Sequence, residues 1–210
     1  MQSRTDSLLG ILKAMSQTRS ETHRRILNSA YGLFYADGFQ RVTTDAIAAA
    51  AGVTKRTLYN HFSSKDALIA AVVAHHSAMA HALVAKWCGS DPLPAPDLIR
   101  NVFAGLRAWA ARPGWRGSGF TRAAMELAWA HGHPARHAAA AHKTIVEQEL
   151  ANAFERSGRQ DSEKLAAEIM VLIEGATALR LIHGDGNWFD VAETAGLALL
   201  TPAPVSDLSL

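Results

Sequence analysis

Residues 44–65, TDAIAAAAGVTKRTLYNHFSSK, constrain this chain more than any other stretch. The spacing predicts a short helix from Thr44 to Ala51 with Ile47, Ala48 and Ala51 on its inward face. Ala48 has to be small because a second helix crosses over it. Gly52 follows four residues later, where a helix ends and a left-handed residue is favoured. Val53 and Leu58 then lock the second helix onto the first, and Thr54 has the chemistry of an N-cap. This leaves Thr54, Lys55, Arg56, Thr57, Tyr59, Asn60 and His61 outside. An ordinary helical hairpin also keeps a polar outer face. The concentration of Lys55, Arg56, Tyr59, Asn60, His61 and Lys65, side chains that suit phosphates and base edges, favours a DNA-binding helix-turn-helix.

The flanks extend the pattern. Residues 20–37 form an amphipathic helix with Ile26, Leu27, Ala30, Leu33 and Phe34 on one face, ended by Gly38 and Phe39. Thr18 and Glu21 have capping-box spacing and put its start there. Ser63 and Asp66 repeat that spacing and open a long helix at about Ser64. Its free N–H groups and Lys65 are placed to hold a phosphate.

In order, the chain presents Ala30-x-x-Leu33-Phe34, Gly38-Phe39 and Thr43-Thr44-x-x-Ile47-Ala48-x-x-Ala51-Gly52-Val53. Thr54-Lys55-x-Thr57-Leu58-Tyr59-x-His61-Phe62 and Ser64-Lys65-x-x-Leu68 complete the series. Together these resemble the N-terminal domain of the TetR family of bacterial transcriptional regulators. The resemblance implies that Thr43 or Thr44, Tyr59, His61 and Lys65 hold the phosphate backbone. It also implies that Lys55, Arg56, Thr57 and Asn60 lie over the bases. Arg56 departs from the small residue common in relatives and leaves the operator open.

Charge is divided to match. Residues 1–65 carry nine Lys and Arg against four Asp and Glu, a net +5, while residues 66–210 carry −3. A basic head on a mildly acidic body suits a DNA-binding domain joined to one with another task. Residues 1–19, with Arg4, Lys13 and Arg19, read as an N-terminal extension or arm. The single cysteine, Cys88, precludes an intramolecular disulfide and fits a reducing cytoplasm. The run Leu8-Leu9-Gly10-Ile11-Leu12 is too short for a membrane span, so no membrane is expected.

The rest reads as helix throughout, with apolar positions recurring at three and four and no strand patterning. Helices are expected at about 64–87, 96–111, 119–131, 134–157, 162–184 and 188–200, with breaks at Pro-rich 92–96 and at Gly and Pro pairs. The fold class is therefore all-α with about nine helices. Residues 20–65 form the helix-turn-helix domain, 66–203 a helical regulatory and dimerisation domain, and 204–210 a tail.

The last two helices are apolar nearly all round, which requires cover on both sides. They are either a thoroughly buried core or an isologous four-helix seam between two copies, with Gly175 and Gly196 permitting close approach. The second reading assigns Met170, Ile173, Ala178, Leu181, Trp188, Ala192, Ala195 and Leu199 to the seam. TetR relatives pair through these helices, which implies a homodimer.

Residues 96–160 carry large side chains and histidines suited to a pocket. The stretch Gly117-Ser118-Gly119-Phe120-Thr121, with Glu126, His133-Pro134 and His142-Lys143, is similar to the C-terminal domain of a TetR subgroup and implies a small-molecule effector. The residues assigned to it are His76, Met79, Trp109, Phe120, Met125, Trp129, His142, Glu174 and Thr177. Glu174, Thr177 and Arg180 interrupt an apolar helix, and a buried charge there needs a partner.

Catalysis has no candidate residues: phosphate loops, nucleophile elbows and His-Glu-x-x-His spacing are missing from the sequence. His131, His133, His137 and His142 lack a convincing metal-ligand spacing, so neither metal nor cofactor is expected. The expected function is a ligand-responsive regulator, a repressor that binds a palindromic double-stranded DNA operator as a homodimer and is released by a small molecule. The rivals are an activator of the same fold and a non-catalytic helical adaptor whose head binds protein.

Overall fold

The structure, a computed structural model, describes residues 2–201, with side chains from Gln17 onward. Among these residues nine helices occur and no strand: α1 (Gln2–Asp37), α2 (Thr44–Ala50), α3 (Lys55–His61), α4 (Lys65–Cys88), α5 (Ala95–Ala110), α6 (Gly119–Glu126), α7 (Pro134–Arg156), α8 (Ser162–His183) and α9 (Trp188–Ala198). The chain is all-α, as its periodicity predicts. Arg4 and Lys13 of the expected arm, and the 204–210 tail, lie outside the described side chains.

Three boundaries differ from the sequence reading. Helix α1 begins at Gln2 rather than near Thr18, because Ser/Thr-x-x-Glu spacing also occurs inside a continuous helix and does not by itself interrupt one. Helix α4 is capped by Ser64 rather than Ser63: the Ser64 hydroxyl accepts from the Ala67 N–H at 3.0 Å. Helix α6 stops at Glu126 instead of 131. Beyond it the N–H groups of Ala128 and Ala130 bond three residues back, to Met125 and Leu127, which tightens the chain into turns.

Two compact units emerge, one of Met1–His76 with Ala123–Ala139, the other of Ser77–Arg122 with Ala140–Leu210. The first is built on Ile26, Leu27, Ala30 and Phe34 of α1, Ile47, Ala48 and Ala51 around α2, Leu58 of α3, and Leu68, Ile69, Val72 and Val73 of α4, all at most 4% exposed. Each large side chain so buried contributes roughly 1.5–3 kcal/mol. Phe34 and Phe39 stack at 5.2 Å, closing the turn after α1. Helix α4 is long and apolar enough by composition to cross a membrane. Its apolar residues nearest the N-terminus are instead part of this core.

In the second unit, α5 turns Leu98, Ile99, Val102, Phe103 and Leu106 inward at three- and four-residue spacing. They meet Leu150 and Phe154 of α7, Leu165, Ile169 and Met170 of α8, and Phe189 and Ala192 of α9. A Cβ on Gly196 would lie 2.8 Å from Ile169 Cδ1, so this glycine serves close packing of α9 on α8 within one subunit. Arg107 of α5 bonds both Asp190 and Glu193 of α9 at 2.8 Å.

Candidate nucleic-acid interface

Helix α2 is started by Thr43, whose hydroxyl accepts from the Ala46 N–H at 3.2 Å. It ends in a Schellman turn. Gly52, at φ 61°, lets its own N–H reach the Ala49 carbonyl at 3.1 Å and the Val53 N–H reach the Ala48 carbonyl at 3.0 Å. Two residues later Thr54 caps α3, accepting from the Thr57 N–H at 3.1 Å, and the two hydroxyls bond each other at 2.8 Å. With Leu58 fully buried and Ala48 only 4% exposed, the inner side of the pair is filled by small and branched apolar groups. The outer side is then forced: Lys55, Arg56, Tyr59 and Asn60 are exposed, and Thr57 and His61 are partly so.

The electrostatics of this surface are asymmetric. Lys55 Nζ lies 3.0 Å from the Asp45 carboxylate on α2, and this bond raises the Lys55 pKa. Arg56 and Asn60 stay exposed beside it. The Tyr59 hydroxyl is 3.5 Å from Thr44 Oγ1, the edge of hydrogen-bond range. Lys65, at the first turn of α4, donates to the Gln40 carbonyl at 2.7 Å, and burial lowers its pKa. Of the expected DNA residues, Thr43, Thr44, Thr54, Lys55, Arg56, Thr57, Tyr59, Asn60, His61 and Lys65 all belong to the first unit. The hydroxyls of Thr43 and Thr54 accept capping bonds there, and the Thr57 hydroxyl is bonded to that of Thr54.

Partners of this surface that sequence reasoning did not find come from distant residues. Asp45 holds Lys55. Glu126, the last residue of α6, accepts from the Phe39 N–H at 2.7 Å, and the Gln40 side chain bonds the Glu126 carbonyl, so the turn before α2 is gripped from residue 126. His133, 6% exposed, accepts the Ala135 N–H on Nδ1 at 3.1 Å and lies 3.3 Å from the Asp66 carboxylate. His23 of α1 stacks on Phe62 and sits against His61. Nothing in their local sequence marks these pairings, which span up to 87 residues.

The expected effector residues divide. In the second unit, buried His142 accepts or donates through Nδ1 to the Ser77 hydroxyl at 2.9 Å and lies flat on Phe120 at 3.5 Å. Burial, with Lys143 next to it, lowers its pKa to about 4. Glu174 is paired with Lys143 and accepts from the Thr121 hydroxyl at 2.7 Å, while Lys143 also reaches Ser118 at 3.3 Å. Thr177 is buried, and Arg180 bonds the Gly184 carbonyl at the end of α8. Trp109 packs edge-on to Trp115 against the core. His76, in the first unit, stacks on Tyr31 at 3.6 Å with Nε2 buried and unpartnered, and burial lowers its pKa to about 4. Met79, Met125 and Trp129 do not line an interior: they are 60%, 69% and 70% exposed because each falls on the outward side of its helix or turn.

The residues expected at a seam between copies also divide, and two of them are corrected. Met170 and Ala192 are 8% and 6% exposed and belong to the core of one subunit. Ile173 and Trp188 pack partly against that core, and Ala178, Leu181, Ala195 and Leu199 are exposed. The outward face of α8 is Val171, Gly175, Ala178, Leu179 and Ile182, with Val191 exposed on α9. Cys88 is 2% exposed, and burial pushes its thiol up to about 12, which disfavours the thiolate. Among the described residues no group of three or more His, Cys, Asp or Glu is placed to hold a metal.

Comparison with known proteins matches this geometry. The family described as bacterial regulatory proteins, tetR family, matches residues 26–72. The transcriptional regulator UidR of Escherichia coli K12 is 41% identical over 58 residues, 27% of this chain and 30% of UidR. SrpR of Pseudomonas putida is 43% identical over 54 residues, 26% of this chain and 25% of SrpR. The chain thus spans under a third of the length of these curated relatives. Over the whole fold, the crystal structure of a TetR-family regulator from Streptomyces coelicolor is 30% identical with a TM-score of 0.70, covering 85% of this chain and 92% of that one. Reduced NemR of E. coli, 19% identical over 84% of this chain and 95% of its own, shares the fold with a TM-score of 0.76. A capped recognition helix with a cationic outer face, a sequence match centred on it and a relative aligned along nearly its whole length together assign the chain to the TetR family of bacterial transcriptional regulators.

Proposed function

We propose that this regulator is a homodimeric repressor that binds a palindromic operator and is released by a small molecule. The observation that carries the reading is the outer face of α3, where Lys55, Arg56, Tyr59 and Asn60 stand exposed on a helix capped at its N-terminus by Thr54. Lys55, Arg56, Thr57 and Asn60 read bases, Thr43 or Thr44 with Tyr59, His61 and Lys65 holds phosphates, and Thr54 starts the helix beside them. The exposed apolar face of α8 and α9 supports pairing of two copies, which sets two recognition helices on paired half-sites. Such a protein works in the bacterial cytoplasm, with duplex DNA and a second copy of itself as partners.

The effector contacts the second unit near Phe120, His142, Glu174 and Thr177, where neutral imidazole, an ion pair and aromatic rings lie together. It acts only by binding one arrangement of the dimer more tightly than the other. Releasing DNA a thousandfold takes about 4 kcal/mol of that difference.

Selection of random duplex DNA on the purified protein at two salt concentrations tests the reading. A recovered palindrome whose binding weakens steeply with salt supports it. Binding that is weak and sequence-independent at both salts overturns the operator assignment and favours an adaptor role for the head.

A further inference from the structure

The recognition helix ends in a histidine that is not alone. His61 closes α3, and the ring of His23, from α1, lies 5.7 Å from it at a 50° tilt. The same His23 ring stacks on buried Phe62 at 4.7 Å and 27°. Both imidazoles remain partly exposed, His61 on the helix that carries Tyr59 and Asn60 outward and His23 on α1. The charged groups acting on them are Arg19 of α1 on both rings, His75 of α4 on His23, and His23 on His61. All are bases.

We propose that His23 and His61 form a proton-binding pair beside the recognition helix, so that association with duplex DNA takes up protons there and affinity rises as pH falls below neutral. The inference rests on the DNA-binding reading above and assigns to His23, on α1, a share of the protons taken up beside His61.

The physical argument runs through the surroundings of the pair. Burial first, and then the neighbouring bases, lower both pKa values in the free protein, which disfavours the charged rings. A phosphate brought against His61 supplies negative charge, and it favours the protonated forms. Proton uptake on binding follows by linkage, and each proton taken up steepens the rise of affinity with falling pH. The Phe62 face stabilises a cationic ring stacked upon it, which lets His23 carry one of these protons.

Binding of the full-length protein to mixed-sequence duplex DNA, measured from pH 5.5 to 8 at constant ionic strength, tests this. We expect affinity to rise about five- to tenfold between pH 7.5 and 6, as for uptake of roughly one proton. His23→Phe keeps the stack on Phe62 but binds no proton, and it should flatten that dependence. Histidine-selective ¹⁵N NMR of the unaltered protein gives an independent reading: His23 and His61 should titrate at higher pH with DNA than without. DNA binding that is independent of pH, or imidazole titrations unmoved by DNA, overturns the pair while leaving the DNA-binding reading intact. Failure to bind DNA at every pH overturns that reading and the proposal with it.

Discussion

The backbone N–H of Val53 donates to the Ala48 carbonyl at 3.0 Å across a left-handed Gly52, and this bond sets the angle at which α3 leaves α2. Ala48 is thus used twice, as the small side chain beneath α3 and as the acceptor that closes α2.

Gly52→Ala tests that corner. Open space surrounds the position of a Cβ there, so the cost is the φ of 61° alone. The expected loss is about 1 kcal/mol in urea unfolding, with DNA affinity reduced as α3 reorients. An unchanged unfolding midpoint would show that the turn can relax to negative φ.

Asp45→Asn releases Lys55 from its 3.0 Å partner and removes a negative charge from the candidate DNA surface. Affinity for duplex DNA is expected to increase about three- to tenfold at low salt. The melting temperature should not move, because both partners are exposed. A fall in affinity would instead mean that Asp45 aims Lys55 at its target.

Acid should weaken the fold through His76 and His142. Both are held at about 4, well below the ordinary 6.5, so between these values the unfolded chain binds more protons than the folded one. Stability is full above about pH 6.5 and is lost as pH falls towards about 4. Thermal scans should give a level Tm above pH 7 and a drop of roughly 8–16 °C by pH 5. His76→Phe, which keeps an aromatic ring against Tyr31, should make that drop shallower. A Tm indifferent to pH across this range would refute the burial argument.

Ile182→Glu addresses the pairing of copies. Ile182 is 73% exposed in the single subunit, so a charge there leaves the subunit core untouched. Within an apolar seam the same carboxylate is desolvated without a partner, and dimer dissociation should tighten its demand on concentration by about a hundredfold or more. Sedimentation equilibrium reads this directly. A variant that dimerises like the unaltered protein would place the seam elsewhere.

Local signals made the head legible. Thr54, Gly52, Leu58 and the exposed cationic run are each read from neighbours within a turn or two, and the structure puts them where their chemistry requires. The caps at Thr18 and Ser63 were misleading for the same reason: a spacing of three residues states what a cap needs, and not whether the chain turns there.

The body was less legible. Apolar residues run nearly all round α8, so periodicity determined that it is a covered helix but carried no mark of which side faces the subunit's own core. Packing decided that Met170 and Ala176 turn inward while Val171, Leu179 and Ile182 turn out. It also decided which charges meet, joining Lys143 to Glu174 and Arg107 to Asp190 and Glu193. The sequence by itself determined the helices and the chemistry of the recognition surface, because caps, turns and amphipathic faces are short-range effects. Only the tertiary structure decided the partners, such as His23 beside His61 and Glu126 beneath Phe39, because those contacts depend on how distant helices fill shared space.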